Sequence, residues 1–186
     1  MSRLLSIRIV NEIISLFHRF FKNELLCYYI KGSKYDYDEI FPIRKASSIN
    51  HLIGVVCDDA FRNMAQKRFD IGHSLFYCCD DNVLIAYGWK TGITMSYYSW
   101  EIANSINFQQ SVIVLYDSFV SPNYRRRGIQ KSLIHARIND CENGTIVAVY
   151  AEPLNIASNK AISHCGFSLV AKLTHFSHKI GKEVIY

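Results

Sequence analysis

Three prolines and nine glycines are scattered along 186 residues, so no stretch of this chain reads as a hinge between domains. It has no Gly/Ser-rich or Pro-rich linker and no internal repeat, and one unit of this length buries an adequate core. A single domain over residues 1–186 is expected. Long apolar runs are also missing. The segment over 3–26 is broken by Arg8, Glu12, Arg19 and Lys22, which excludes a membrane span of about twenty apolar residues. Arg8 and Glu12 interrupt any apolar signal-peptide core as well. An excess of one charge is scarce: 21 basic against 16 acidic residues leave +5, enough to attract anions without specifying them. Hydrophobic content of 49% with 20% charged residues excludes a disordered chain.

Six cysteines, at positions 27, 57, 78, 79, 141 and 165, include no C-x-x-C pair. None of the seven histidines has an i, i+4 partner beside a Glu, so no metal site is expected. Cys78 and Cys79, adjacent in an apolar run, are expected to face opposite sides of a strand. Buried free thiols in a reducing compartment are the simplest account, which points to a cytoplasmic protein. Asn143-Gly144-Thr145 matches a glycosylation acceptor but reads better as a turn between helix and strand.

What is present is an alternation of periods. Residues 3–26 repeat apolar positions at helical spacing, an amphipathic helix covering a sheet or a partner. Leu25–Ile30 reads as a strand and Ala46–Arg68 as one or two helices capped at Ser47-Ser48. The runs 74–79 and 83–89 flank Asp80-Asp81-Asn82 as a hairpin. Strands follow over 112–120 and 145–151, a helix over 129–137, and closing strands over 169–173 and 175–178. The sum is an α+β domain with a central mixed, mostly antiparallel sheet flanked by helices.

The most informative segment is Tyr124-Arg125-Arg126-Arg127-Gly128-Ile129-Gln130-Lys131, a strand-to-helix turn. A helix start presents unpaired N–H groups and the positive end of the macrodipole. Three arginines raise that potential, and Gly128 lets backbone approach a ligand. The pattern is neither a Walker loop, which needs Gly directly before Lys-Ser, nor a dinucleotide fingerprint, which needs three glycines. It resembles the acyl-CoA loop of the GNAT superfamily of N-acetyltransferases, in which Arg or Gln is followed by two residues, Gly, one residue, and Gly or Ala. Arg125, Gly128 and Gln130 fill those places, the last departing from the pattern. Downstream, Asn155, Ala157, Ser158, Gly166 and Phe167 match that family's segment after its fifth strand. Asn155 serves equally well as an N-cap.

The resemblance implies acetyl-CoA as acyl donor and direct attack by a small amine in a ternary complex. It assigns the main chain of Phe119 and Val120 to the thioester and pantetheine. The pyrophosphate falls to the amides from Arg126 through Gly128 and Ile129 to Gln130, with the arginine side chains near the ribose phosphate. Asn155 and Ser158 fall to the pantetheine arm. The family's Tyr proton donor corresponds to Ile162 and its Glu base to Val114. Ser158, Ser163 and Tyr116, with His164, are the substitutes within reach. Trp89, Trp100, Glu101, Tyr116 and Ser118 are candidates for the acceptor pocket, and an amino sugar or sugar nucleotide is the favoured acceptor. Homodimers are common in the family. Two alternatives stay open: a catalytically silent acyl-CoA-binding module, and transfer of a longer acyl chain. Nucleic-acid binding is disfavoured because the arginines sit at one turn and form no stripe interleaved with aromatics.

Overall fold

The computed structural model describes residues 24–32, 34–36, 41–92, 112–176 and 179–184. The strands are β1 (Glu24–Lys31), β2 (Arg44–Ala46), β3 (Ser74–Asp80), β4 (Val83–Gly92), β5 (Val112–Val120), β6 (Ile146–Ala151), β7 (Ser168–Phe176) and β8 (Lys179–Val184). The helices are α1 (Asp59–Asp70), α2 (Ile129–Asn139) and α3 (Ile156–His164). The strands form one eight-stranded sheet in the order β2-β3-β4-β5-β6-β1-β7-β8. Only the β5–β6 pair among them is parallel, because α2 forms the crossover between these two strands. This is the mixed, mostly antiparallel sheet that the sequence predicts.

Alternating side chains divide the core into two layers. Phe61, Ala65 and Phe69 of α1 pack on Leu75, Tyr77, Trp89, Val114 and Tyr116. On the opposite face Ile134 and Ile138 of α2 and Ile162 of α3 meet Leu115, Val147 and Val149. Cys78 and Cys79 divide between the faces as expected. Gly144, with φ 84°, turns the chain into β6.

Several boundaries differ from the sequence reading. Residues 44–46 form a strand, a 3-10 turn covers Ile49–Leu52, and the true helix starts thirteen residues after Ala46. Its cap is Asp58, whose carboxylate accepts from the Phe61 N–H at 2.6 Å. Ser48 precedes the 3-10 turn without a side-chain capping bond. The strand expected to stop at Leu173 continues to Phe176, and the last strand lies over 179–184. The expected helix over 3–26 falls outside the described residues except at 24–26, which belong to β1.

Two irregularities shape the centre of the sheet. Trp89 pairs with Tyr116 and Tyr87 with Phe119, so Gly88 faces two residues of β5, Asp117 and Ser118. This is a β-bulge, and Asp117 takes φ 43° within it. The β5–β6 ladder runs from Val112↔Ile146 to Leu115↔Val149 and ends there. Beyond Leu115 the two parallel strands part.

Candidate active site

The gap between β5 and β6 opens into a cleft of about 560 Å³, lined by Ser118–Val120 of β5, the turn before α2, and Ala157, Ser158 and Ala161 of α3. The strand ending at Val120 passes through a short 3-10 turn, Pro122–Tyr124, before α2. Gly128 is the N-cap in the left-handed region, φ 78° and ψ −5°, and its carbonyl accepts the first helical bond, from Ser132 N–H at 3.1 Å. The N–H groups of Ile129, Gln130 and Lys131 therefore lack helical partners. Arg126 is also left-handed, φ 64°. The turn alternates handedness around the helix start, the kind of backbone concavity that holds anions.

Side chains brace this turn. Arg125 Nε donates to the Val120 carbonyl at 3.1 Å, tying the arginine segment to the strand end. The Tyr124 hydroxyl donates to Asp80 at 2.6 Å, and that bond pushes the phenol pKa up. The Arg127 guanidinium lies 5.2 Å from the Tyr124 ring centre. All three arginines are exposed at the positive end of α2. Three cations at a helix N-terminus repel the dipole as well as each other, and a multiply charged anion relieves both.

The bulge is held from both faces. On the α1 face Arg68 pairs with Asp117, its guanidinium 4.9 Å from the Trp89 ring and 5.1 Å from the Tyr116 ring. The Tyr116 hydroxyl meets His73 Nδ1. Burial, and then the charge of Arg68, lowers the His73 pKa. On the α2 face Arg137, 0% exposed, donates from Nε to Leu133 O at 2.9 Å, from Nη1 to Trp89 O at 3.1 Å and from Nη2 to Ser118 Oγ at 3.0 Å. Burial lowers its pKa to about 10, which leaves it a cation at neutral pH.

The structure brings together Ser118, Phe119, Val120, Arg125, Arg126, Gly128, Ile129, Gln130 and Ser158 along the cleft. Other candidates lie elsewhere. Asn155 is exposed and caps α3, its Oδ1 accepting from Ser158 N–H at 3.1 Å. Ser163 and His164 line a separate shallow depression with Lys160 and Asn159, so neither faces the acyl-donor cleft. Tyr116 and Trp89, 2% and 0% exposed, are core residues on the α1 face. Ordinary strand alternation places them there, and the bulge that follows turns Asp117 onto the same face. Trp100 and Glu101 fall outside the described residues. Strand alternation points Asp117 away from Tyr116 unless a bulge turns it, and the bulge does so; Arg137 is the residue that sequence reasoning missed. The available signal was Gly88 in mid-strand, which marks a bulge or a close approach.

A cleft between parting parallel strands, closed by an arginine-rich helix start, is the acyl-CoA architecture that the motifs resemble. The model of the Acetyltransferase (GNAT) family matches residues 37–167. The chain belongs to the GNAT acetyltransferase family. Solved structures share the GNAT fold at low identity. A GNAT-family acetyltransferase from Novosphingobium aromaticivorans superposes with a TM-score of 0.54 at 13% identity, over 81% of this chain and 61% of that one. An aminoglycoside acetyltransferase from an uncultured soil metagenomic sample, in complex with sisomicin, gives 0.53 at 17%, over 78% and 100%. The aminoglycoside N-acetyltransferase AAC(6')-Iy in complex with CoA gives 0.51 at 20%, over 82% and 97%. Comparison with curated proteins returns no match.

The residues of this GNAT domain fit an acyl-CoA. The open amides after Gly128 and the arginines offer donors and charge for a pyrophosphate. Phe119 and Val120 offer strand edge where β6 has turned away. Among the described residues no group of three or more His, Cys, Asp or Glu is placed to hold a metal. No described helix is long and apolar enough to cross a membrane.

Proposed function

We propose that this protein is an acetyl-CoA-dependent N-acetyltransferase that acts on a small amine by direct attack in a ternary complex. The observation that carries the reading is the separation of β5 from β6 beyond Leu115, directly above the open amides of α2. The arginine turn binds the donor's pyrophosphate. The edge of β5 at Phe119 and Val120 aligns the pantetheine, and Ser158 contributes a hydroxyl to the cleft wall. The thioester carbonyl is polarised by main-chain N–H groups of β5 after the bulge, which preorganised backbone provides without reorganisation. The acceptor approaches from the α1 face. There the bulge presents Asp117, a carboxylate suited to an ammonium group. An amino sugar or sugar nucleotide is the acceptor class put first, in a cytoplasmic setting compatible with the free thiols of Cys57, Cys78, Cys79, Cys141 and Cys165.

A second reading has a specific observation behind it. Ile162 and Val114 are hydrocarbon where many relatives carry an acid and a base, and both are fully buried. This favours a catalytically silent acyl-CoA-binding module. Thermal shift with acetyl-CoA, CoA and a longer acyl-CoA, followed by CoA-thiol release with an amine panel, separates the two. Ligand binding raises the melting temperature by mass action. We expect a shift with acetyl-CoA and thiol release with at least one amino sugar. A shift without release from any amine supports the silent module, and no shift at all defeats both. Gly128→Val obstructs the turn and removes the shift.

A further inference from the structure

We propose that the Ser118 hydroxyl is the hydrogen-bond donor to the departing CoA sulfur, aimed by the buried guanidinium of Arg137. The inference rests on the acyl-transfer reading above and supplies what Ile162 cannot. Arginine has five N–H donors and no acceptor, whereas a serine hydroxyl has one donor and two lone pairs. The 3.0 Å contact between Arg137 Nη2 and Ser118 Oγ therefore has a single direction: Arg137 donates and Ser118 accepts. Among the described residues the Ser118 hydroxyl hydrogen has no acceptor, and Ser118 lines the cleft. Its proton is directed into that space, polarised by a charge-assisted bond at its oxygen.

The guanidinium is fixed in place. Its other contacts are to the Leu133 and Trp89 carbonyls, and a Cβ on Gly88 would stand 2.7 Å from its Cζ. Glycine at 88 is thus what admits the guanidinium beneath the bulge, and the bulge in turn presents Ser118 to it. The location suits the sulfur. Ser118 faces α2 and α3, and Ile162 of α3 packs against Leu115, the last β5 residue paired with β6. Ala161, the residue before Ile162 on α3, lines the cleft together with Ser118.

In the step, the amine lone pair forms the C–N bond, the C–S bond breaks, and its electron pair goes to sulfur. The amine proton leaves to solvent. Ser118 shares its proton with the thiolate and gives none up, so no alkoxide forms. Ser118 is the group that touches the leaving atom, and Arg137 is a positioning residue.

The test titrates bound CoA itself, following thiolate ultraviolet absorbance against pH in the wild type, Ser118→Ala and Ser118→Thr. A donor to sulfur favours the thiolate. The bound thiol should titrate about one unit higher in Ser118→Ala, and Ser118→Thr should restore the wild-type value. With a turned-over amine, kcat of Ser118→Ala should fall about a hundredfold while the calorimetric CoA affinity stays within about twofold. Gly88→Ala displaces Arg137 and should move the thiol the same way. Identical titrations of wild type and Ser118→Ala overturn the proposal, as does loss of CoA binding in Ser118→Ala. If the wild type itself gives no heat with CoA, it is the reading of the cleft that fails, and this inference falls with it.

Discussion

At the scale of single residues, the site is built from backbone conformations that side chains usually avoid. Asp117 and Arg126, at φ 43° and 64°, bracket the cleft in the left-handed region. Such strain costs on the order of 1 kcal/mol per residue and persists where the surroundings impose it. Arg126→Gly should therefore raise stability by about 0.5–1 kcal/mol, read as the denaturant midpoint, while weakening CoA binding through the lost charge. A lower midpoint would show that Arg126 is not strained. Removing Asp117 leaves Arg68 buried between two aromatic rings without its carboxylate. Because Asp117 is one-third exposed, Asp117→Ala should cost about 1–2 kcal/mol, between the values for surface and buried pairs. Legibility in the sequence divides along the same line. Gly128 announces its own φ, and so does Gly166, which follows the end of α3 with φ 85°. Arg126 and Asp117 give no such sign, because their conformation is imposed by the turn and the bulge around them.

At the scale of elements, α2 carries charge against its dipole at one end and with it at the other. The N-terminal arginines are unfavourable until an anion arrives. At the C-terminus, Lys34 donates to the Asn139 and Cys141 carbonyls, and Lys45 and Lys90 both reach Asp140. Partial burial raises the Asp140 pKa, but the two ammonium bonds outweigh it and hold the carboxyl below its usual value. A depressed folded-state pKa means that this stabilisation is complete above the unfolded value, about 3.9, and is lost as pH falls through the folded one. Asp140→Asn should lower stability at pH 7 and narrow its gap to wild type toward pH 2, followed by denaturant unfolding. A constant gap would place the effect in packing. The hairpin, β5, α2 and β6 were readable because period and turn chemistry agree locally. α1 was placed too early because Ser47-Ser48 imitate a cap, whereas Asp58 makes the actual bond.

At the scale of the whole molecule, two buried histidines set the acid limit first. Burial, then the charge of Arg68 for His73 and of Lys131 for His135, lowers both pKa values. The unfolded chain then binds more protons below about pH 6.5, so stability declines as pH falls from that point, before Asp140 is protonated. Denaturant midpoints that stay flat from pH 7 to pH 5 would contradict this. Sheet order was the part of the fold least legible in the sequence. Alternation identifies a strand, but neighbours that lie far along the chain leave no local trace. β1 shows this most clearly, paired through Leu26↔Ala151 on one side and Leu25↔Leu173 on the other.

That placement has a kinetic consequence. Among the described strands β1 comes first along the chain, and both of its ladders wait for segments synthesised more than a hundred residues later. Closing such loops is slow, and in the interval an apolar strand has two open edges. Refolding should show a late phase that reports on the β6–β1–β7 centre, and nascent chains halted before β6 should aggregate unless a chaperone shields them.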